Sequence, residues 1–254
     1  MWRAWGVTIA IALASGFASA DVRLALWGMI VALTVVGYLT LGTRRPNGPE
    51  RSAMHVTDSM VERFGLFTII VLGEVVAGVL NGIVDAQATT TALVVGMLAL
   101  SVGFGLWWNY FDALGRKLPR DTPAAMISYL MLHLPLHGSI AAAGAGMVGF
   151  IEQADSAHLD AATTWLLTGS VALALLLVAA LLSTLDRAFF ASGVGPYQVV
   201  LCAGAIVALG LGLLALPSWA LAVGLSLLLG TTWAIAFVIA SVTGEHERKH
   251  APSA

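Results

Sequence analysis

The stretch Glu62-Arg63-Phe64-Gly65-Leu66-Phe67-Thr68-Ile69-Ile70-Val71-Leu72-Gly73-Glu74 carries a charged pair into an apolar run and then places a second carboxylate inside that run. Read as a helix, it puts Glu74 twelve residues beyond Glu62, which is about 18 Å along the axis and roughly halfway through a hydrocarbon core ~30 Å thick. An ionised Glu at that depth costs at least ~2.5 kcal/mol, so it is expected to be protonated, paired or turned to a wet cavity. The face it shares at i+3, i+4 and i+7 holds Ala77, Gly78 and Asn81. That face is small and polar rather than lipid-like, which reads as a buried acidic site in a membrane protein.

Composition agrees with a membrane location. The chain of 254 residues is 59% hydrophobic and only 10% charged, with a mean hydropathy of +0.90, and its apolar residues fall in long blocks. A net charge of −2 provides no basic field for nucleic acid, and the Lys and Arg residues sit in short loops between apolar runs. The single cysteine, Cys202, lies inside an apolar run, which excludes an intrachain disulfide and a multi-cysteine metal site.

The expected fold is an all-α polytopic transmembrane helical bundle forming one integral membrane domain over 1–254. About eight spans are read, at approximately 5–20, 22–41, 64–84, 91–112, 124–151, 162–185, 197–216 and 219–243. Met1 to Ala20 resembles a signal peptide but is counted as a first short span, because the next apolar run begins at Leu24. His55, Asp58 and Glu62 follow i, i+3, i+7 and share a face if that lead-in is helical, either as a solvated segment or as a proton or cation antenna. Counted over alternating spans, nearly all Lys and Arg residues fall on one side, so both termini are expected in the cytoplasm and the protein in the cell inner (plasma) membrane.

Two polar patterns interrupt the apolar blocks. Ser101, Gly105, Asn109 and Asp112 form a strip along one helical face, expected to look into the bundle beside Glu74. Tyr129, His133 and His137 are spaced by four and share a face, with Pro135 between the histidines removing a helical hydrogen bond. Beyond them Ala141-Ala142-Ala143-Gly144-Ala145-Gly146 is so small in side chain that neighbours must pack tightly against it. Equal depths, roughly 15 Å from the cytoplasmic ends of their spans, place Glu74 and His133 opposite each other, with Tyr129 and Asn109 on the cytoplasmic side and His137 continuing outward. At the cytoplasmic ends Glu62, Arg63 and Asp112 form an expected charge cluster in which Arg63 and Asp112 pair. The last three spans carry no ionisable interior residue other than Cys202 and read as scaffold.

The Glu62 to Glu74 run, then Trp107-Trp108 to Phe111-Asp112, then Tyr129 with His133-Leu134-Pro135-Leu136, resembles the bacterial low temperature requirement protein A family, LtrA. The resemblance covers most of the chain and corresponds to the later part of a typical member, whose earlier Glu-Leu-Phe-Phe-Asp-Leu-Val-Phe-type stretch has no counterpart here. It implies a membrane location and makes Glu62, Arg63, Gly73 and Glu74 members of the motif, without a catalytic role.

The buried polar residues, not the fold, divide the function classes. The first is a proton- or cation-linked transporter or channel built on Glu74, His133, His137, Tyr129 and Asn109. The alternative is a structural or membrane-adaptation protein for low-temperature growth, in which the polar groups only lock helices together. A third, an intramembrane enzyme or metal site, rests on His133-x-x-x-His137 with Glu74 as a third ligand, and Pro135 weakens it. No phosphate loop or nucleophile elbow is present, so the chain is read as no enzyme, with no cofactor and no resident metal. The expected partners are the lipid bilayer and protons or small cations, with no nucleic acid.

Overall fold

The computed structural model describes residues 56–115, 117–156, 159–185, 195–214 and 216–250, with a few isolated positions between 11 and 33. Among them there are six helices and no strand, apart from one isolated bridge between Pro119 and Leu185. The helices are α1 (Asp58–Asp85), α2 (Thr90–Leu114), α3 (Pro123–Glu152), α4 (Ala161–Leu182), α5 (Pro196–Gly212) and α6 (Ser218–His250). Five of the six are long and apolar enough to cross a membrane, so the expected count of about eight spans is not supported. The spans read at 5–20 and 22–41, and the retention of Met1 to Ala20, lie outside the described residues. Among the described residues the difference is α5, whose 17 residues reach about 26 Å, short of a ~30 Å core.

Where α2, α3 and α4 begin, a side chain partners the free N–H groups. Thr89 accepts from the Ala92 N–H at 3.2 Å and Thr122 from the Ala125 N–H at 3.3 Å, with Pro123 taking the first helical position of α3. At α5 the Gln198 side chain accepts from the Gly195 N–H at 2.8 Å and donates to the Ala179 carbonyl of α4 at 2.9 Å. Between α1 and α2 the chain turns through Gln87 and Ala88, both left-handed at φ 57° and 47°; for side chains with a Cβ that conformation is unfavourable by about 1–2 kcal/mol per residue. At the other end of the bundle Arg120 ties the α2–α3 loop to α4, its N–H donating to the Thr184 carbonyl at 2.9 Å and its Nη2 to Ser183 at 2.7 Å. A cation on the last carbonyls of a helix also complements the helix dipole.

Asp160 caps α4. It accepts from the Thr163 N–H at 2.6 Å and the Thr163 hydroxyl at 2.9 Å, and Gln153 donates to it as well. These donors, the Thr163 backbone first, hold its carboxyl below the usual carboxylate range. A depressed folded-state value means that the cap stabilises above the unfolded carboxylate range and loses its effect as pH falls through the folded one. Asp160→Ala therefore lowers the melting temperature at neutral pH, and the gap to the wild type closes in acid. A gap that stays constant as the medium is acidified would show that the charged cap contributes nothing.

The helices close into a ring in the order α1, α3, α4, α5, α6, α2, and α2 leans inward far enough to touch α3 and α4. Large apolar side chains such as Ile70, Met97, Phe104, Ile206 and Phe237 stay exposed around the outside, the arrangement of a bundle solvated by lipid. Close approach falls on particular glycines. A Cβ at Gly144 would lie 2.6 Å from Val75 on α1, and one at Gly146 would lie 3.1 Å from the Leu167 backbone on α4. The small-residue stretch of α3 is thus pressed between two neighbours, as that composition requires.

Candidate functional site

The leaning of α2 creates two triangular seams, and each holds a buried polar network. In the first, between α1, α2 and α3, the four-residue spacing on α3 brings Tyr129, His133 and His137 onto one buried face. The helix runs on through Pro135 without a break. His133 Nδ1 lies 2.7 Å from the Tyr129 carbonyl and its Nε2 3.1 Å from the Tyr110 hydroxyl of α2. A carbonyl only accepts, so Nδ1 carries the proton, and in the neutral ring Nε2 accepts from Tyr110. One turn further, His137 Nε2 lies 2.9 Å from the Thr68 hydroxyl of α1, which itself donates to the Phe64 carbonyl at 2.8 Å. A hydroxyl has one proton, so Thr68 accepts from His137 while it donates to Phe64, and it can donate to His137 Nε2 only when that nitrogen is bare.

The hydroxyls of Tyr110 and Thr68 are themselves polar neighbours, so they lie between the two Nε2 atoms. The imidazole centroids are 5.8 Å apart, so the rings meet through the hydroxyls rather than directly. Aromatic rings of α1 enclose the pair. Phe64 lies 4.4 Å from the His133 ring and Phe67 4.6 Å from that of His137, both centroid to centroid. Tyr110 has a second exposure, because it lines a cavity of about 640 Å³ at the α1–α2 end with Asp58, Glu62, Gly65 and Phe111. His55, the remaining member of the expected antenna, lies outside the described residues.

The second network lies between α2, α5 and α6. Asn109 donates to the Gly105 carbonyl at 2.8 Å and the Leu229 carbonyl at 3.0 Å, and its Oδ1 accepts from Tyr197 at 3.1 Å and Thr232 at 3.0 Å. The reach to Leu229 depends on Gly105, where a Cβ would stand 2.5 Å from that of Leu229. Ser101 bonds Ser226 at 2.5 Å, and the Trp233 indole donates to the Asp112 carboxylate. The strip on α2 is therefore continuous as its spacing implies, but it faces α6.

Three expected groupings are corrected. Glu74 is exposed and does not meet His133, because the packed stripe of α1 runs through Val61, Thr68, Leu72, Val75 and Val79 and Glu74 stands off it. Asn109 belongs to the α6 seam and not beside Glu74 or the histidines, since it and Tyr110 are consecutive and point about 100° apart on α2. Arg63 and Asp112 form no ion pair; both are exposed, and the Asp112 carboxylate is taken by Trp233. Glu62 stays on α1 as a wall of the cavity. With Glu74 elsewhere, the three-ligand alternative does not assemble, and no group of three metal-binding side chains occurs among the described residues.

Six residues of these networks were not singled out in the sequence: Thr68, Tyr110, Tyr197, Ser226, Thr232 and Trp233. Thr68 and Tyr110 lie inside the stretches that carry the family resemblance, but hydroxyls in apolar runs have no periodic signature of their own. Tyr197, Ser226, Thr232 and Trp233 lie in spans that read as scaffold.

No curated protein and no solved structure matches the chain. The sequence model of the bacterial low temperature requirement A protein (LtrA) matches residues 1–242, and the chain belongs to that family.

Proposed function

We propose that this LtrA-family membrane protein is a proton- or small-cation-linked transporter or channel, with no catalytic role, in which the α1–α2–α3 seam holds the proton-carrying site. One observation carries the reading: Tyr110 both lines the cavity that Asp58 and Glu62 border and bonds His133 Nε2. Asp58 and Glu62 would concentrate protons or cations at the cavity, and Tyr110 would hand a proton to His133 while regaining one from the cavity. The charged imidazole donates at both nitrogens, so Nε2 returns its proton to Tyr110, Tyr110 passes its own to Thr68, and Thr68 turns from Phe64 to protonate His137 Nε2 in the tautomer that holds the His137 proton on Nδ1. In this reading the α1–α2 cavity faces the cytoplasm, as do both termini, because the opposite loops at 85–90 and 152–160 contain Asp85, Glu152, Asp155 and Asp160 and no Lys or Arg, which leaves Arg23 as the one basic residue on that side. The membrane is the bacterial plasma membrane.

The test is proton flux into liposomes that hold the purified chain and a pH-sensitive dye. The wild type is expected to dissipate an imposed pH gradient, and His133→Gln, which keeps a hydrogen-bonding side chain, to slow it about tenfold or more. Flux no greater than in empty liposomes would leave the second reading, a structural or membrane-adaptation protein. That reading is favoured by the Asn109 network, whose polar atoms are all paired within the bundle.

A further inference from the structure

Glu74 lies where the relay has no use for it. On the exposed side of the α1–α3 seam it borders a groove of about 470 Å³, whose other walls include Ile70, Val75, Ala141, Ala145 and Val148. Eleven residues separate it from Asp85 at the end of α1, about 16 Å of helix. No hydrogen bond or ion pair reaches it from the described residues, and the rest of the lining is aliphatic or glycine. The groove exists because Gly78 and Gly144 place no side chain in it; at Gly144 even a methyl would collide with Val75.

We propose that this groove is a binding site for a lipid-soluble organic cation, of the quaternary ammonium or phosphonium class, whose charge rests against the Glu74 carboxylate and whose apolar arms lie on the aliphatic walls. The chemistry of the lining selects that class. A hard metal ion needs about six or more oxygen ligands, and the groove offers one carboxylate and no hydroxyl side chain. An anion is repelled, and a lipid tail alone would leave the carboxylate facing hydrocarbon without a counter-charge. No aromatic ring lines the groove, so the ligand is held by apolar contact and a single ion pair rather than by an aromatic cage. Its volume lies within the range of small-molecule sites, roughly 300–1,000 Å³.

The site goes beyond the histidine relay and does not depend on it, since His137, the relay residue that precedes the groove on α3, is turned to Thr68. Equilibrium dialysis of the full chain in detergent against radiolabelled tetraphenylphosphonium measures it. Saturable binding is expected, weakened about tenfold or more in Glu74→Gln and much less in Glu74→Asp. Ala145→Leu, at an exposed position that fills the groove without entering the core, should weaken binding to a similar extent with an unchanged melting temperature. His133→Gln should bind like the wild type, which separates this site from the relay. Absence of saturable binding, or equal binding by wild type and Glu74→Gln, would overturn the proposal. So would light scattering that shows Glu74→Gln dissociating an oligomer whose wild-type form binds no cation, because the groove would then be a seam between copies.

Discussion

Asn109→Leu is expected to lower the stability of the bundle in detergent by about 2–3 kcal/mol, more than any other single polar substitution in the α2–α5–α6 seam. Three of its four side-chain hydrogen bonds cross between helices, to Leu229, Tyr197 and Thr232. Inter-helical hydrogen bonds in membranes average about 0.6 kcal/mol and reach about 1.7 kcal/mol, so three together give the expected range. Fallback partners keep the loss from being larger. Thr232 still has the Leu229 carbonyl at 2.8 Å, and the Tyr197 hydroxyl lies 3.4 Å from the Asn109 backbone carbonyl, which the substitution leaves in place. For the same reason Thr232→Val and Tyr197→Phe should each cost no more than about 1 kcal/mol. Melting temperatures of the three single variants and of Asn109→Leu/Tyr197→Phe decide the matter. If the double variant loses the full sum of its parts, Asn109 and Tyr197 do not interact.

The all-helical class and the family were legible in the sequence because both rest on long-period signals: apolar blocks of membrane length and a run of thirteen residues from Glu62 to Glu74. Side-chain spacing along a single helix was legible too. Tyr129, His133 and His137 share one face, as do Ser101, Gly105, Asn109 and Asp112, whatever surrounds them. Which neighbour each face meets was not legible. In water the apolar stripe of a helix marks its buried side, but in lipid the outward residues are equally apolar, so hydropathy carries no azimuth.

Glu74 shows the consequence. Its depth in α1 can be counted from Glu62, yet its direction was inferred from the small and polar Ala77, Gly78 and Asn81. The residues that pack are Thr68, Leu72, Val75 and Val79, which nothing in composition distinguishes from lipid-facing Ile70 or Val76. Depth alone likewise set Asn109 beside the histidines. The intervening fact is that α2 is shared by both seams, with Asn109 on one side and Tyr110 on the other. That adjacency joins the networks mechanically: a rotation of α2 that lengthens the Tyr110 bond to His133 must also strain the Asn109 bond to α6.

Tyr110→Phe is the sharpest test of the relay, because it removes one hydroxyl and keeps the ring that packs at 3% exposure between α1 and α3. Proton flux should fall about tenfold or more, equivalent to about 1.4 kcal/mol or more added to the barrier. Stability should fall by only about 1 kcal/mol, since His133 retains the Tyr129 carbonyl and loses a single partner. Thr68→Val, nearly equal in shape, interrupts the chain at the next link, between Tyr110 and His137. If a proton passes through both hydroxyls in series, either break stops it, and Tyr110→Phe/Thr68→Val should be no slower than the worse single variant. A purely structural network behaves otherwise. Each lost hydroxyl would then lower the melting temperature, the losses would accumulate, and the flux of all three variants would equal that of the wild type. Measured in the same liposomes, the ratio of flux loss to stability loss separates a proton-carrying seam from hydrogen bonds that only hold α1, α2 and α3 together.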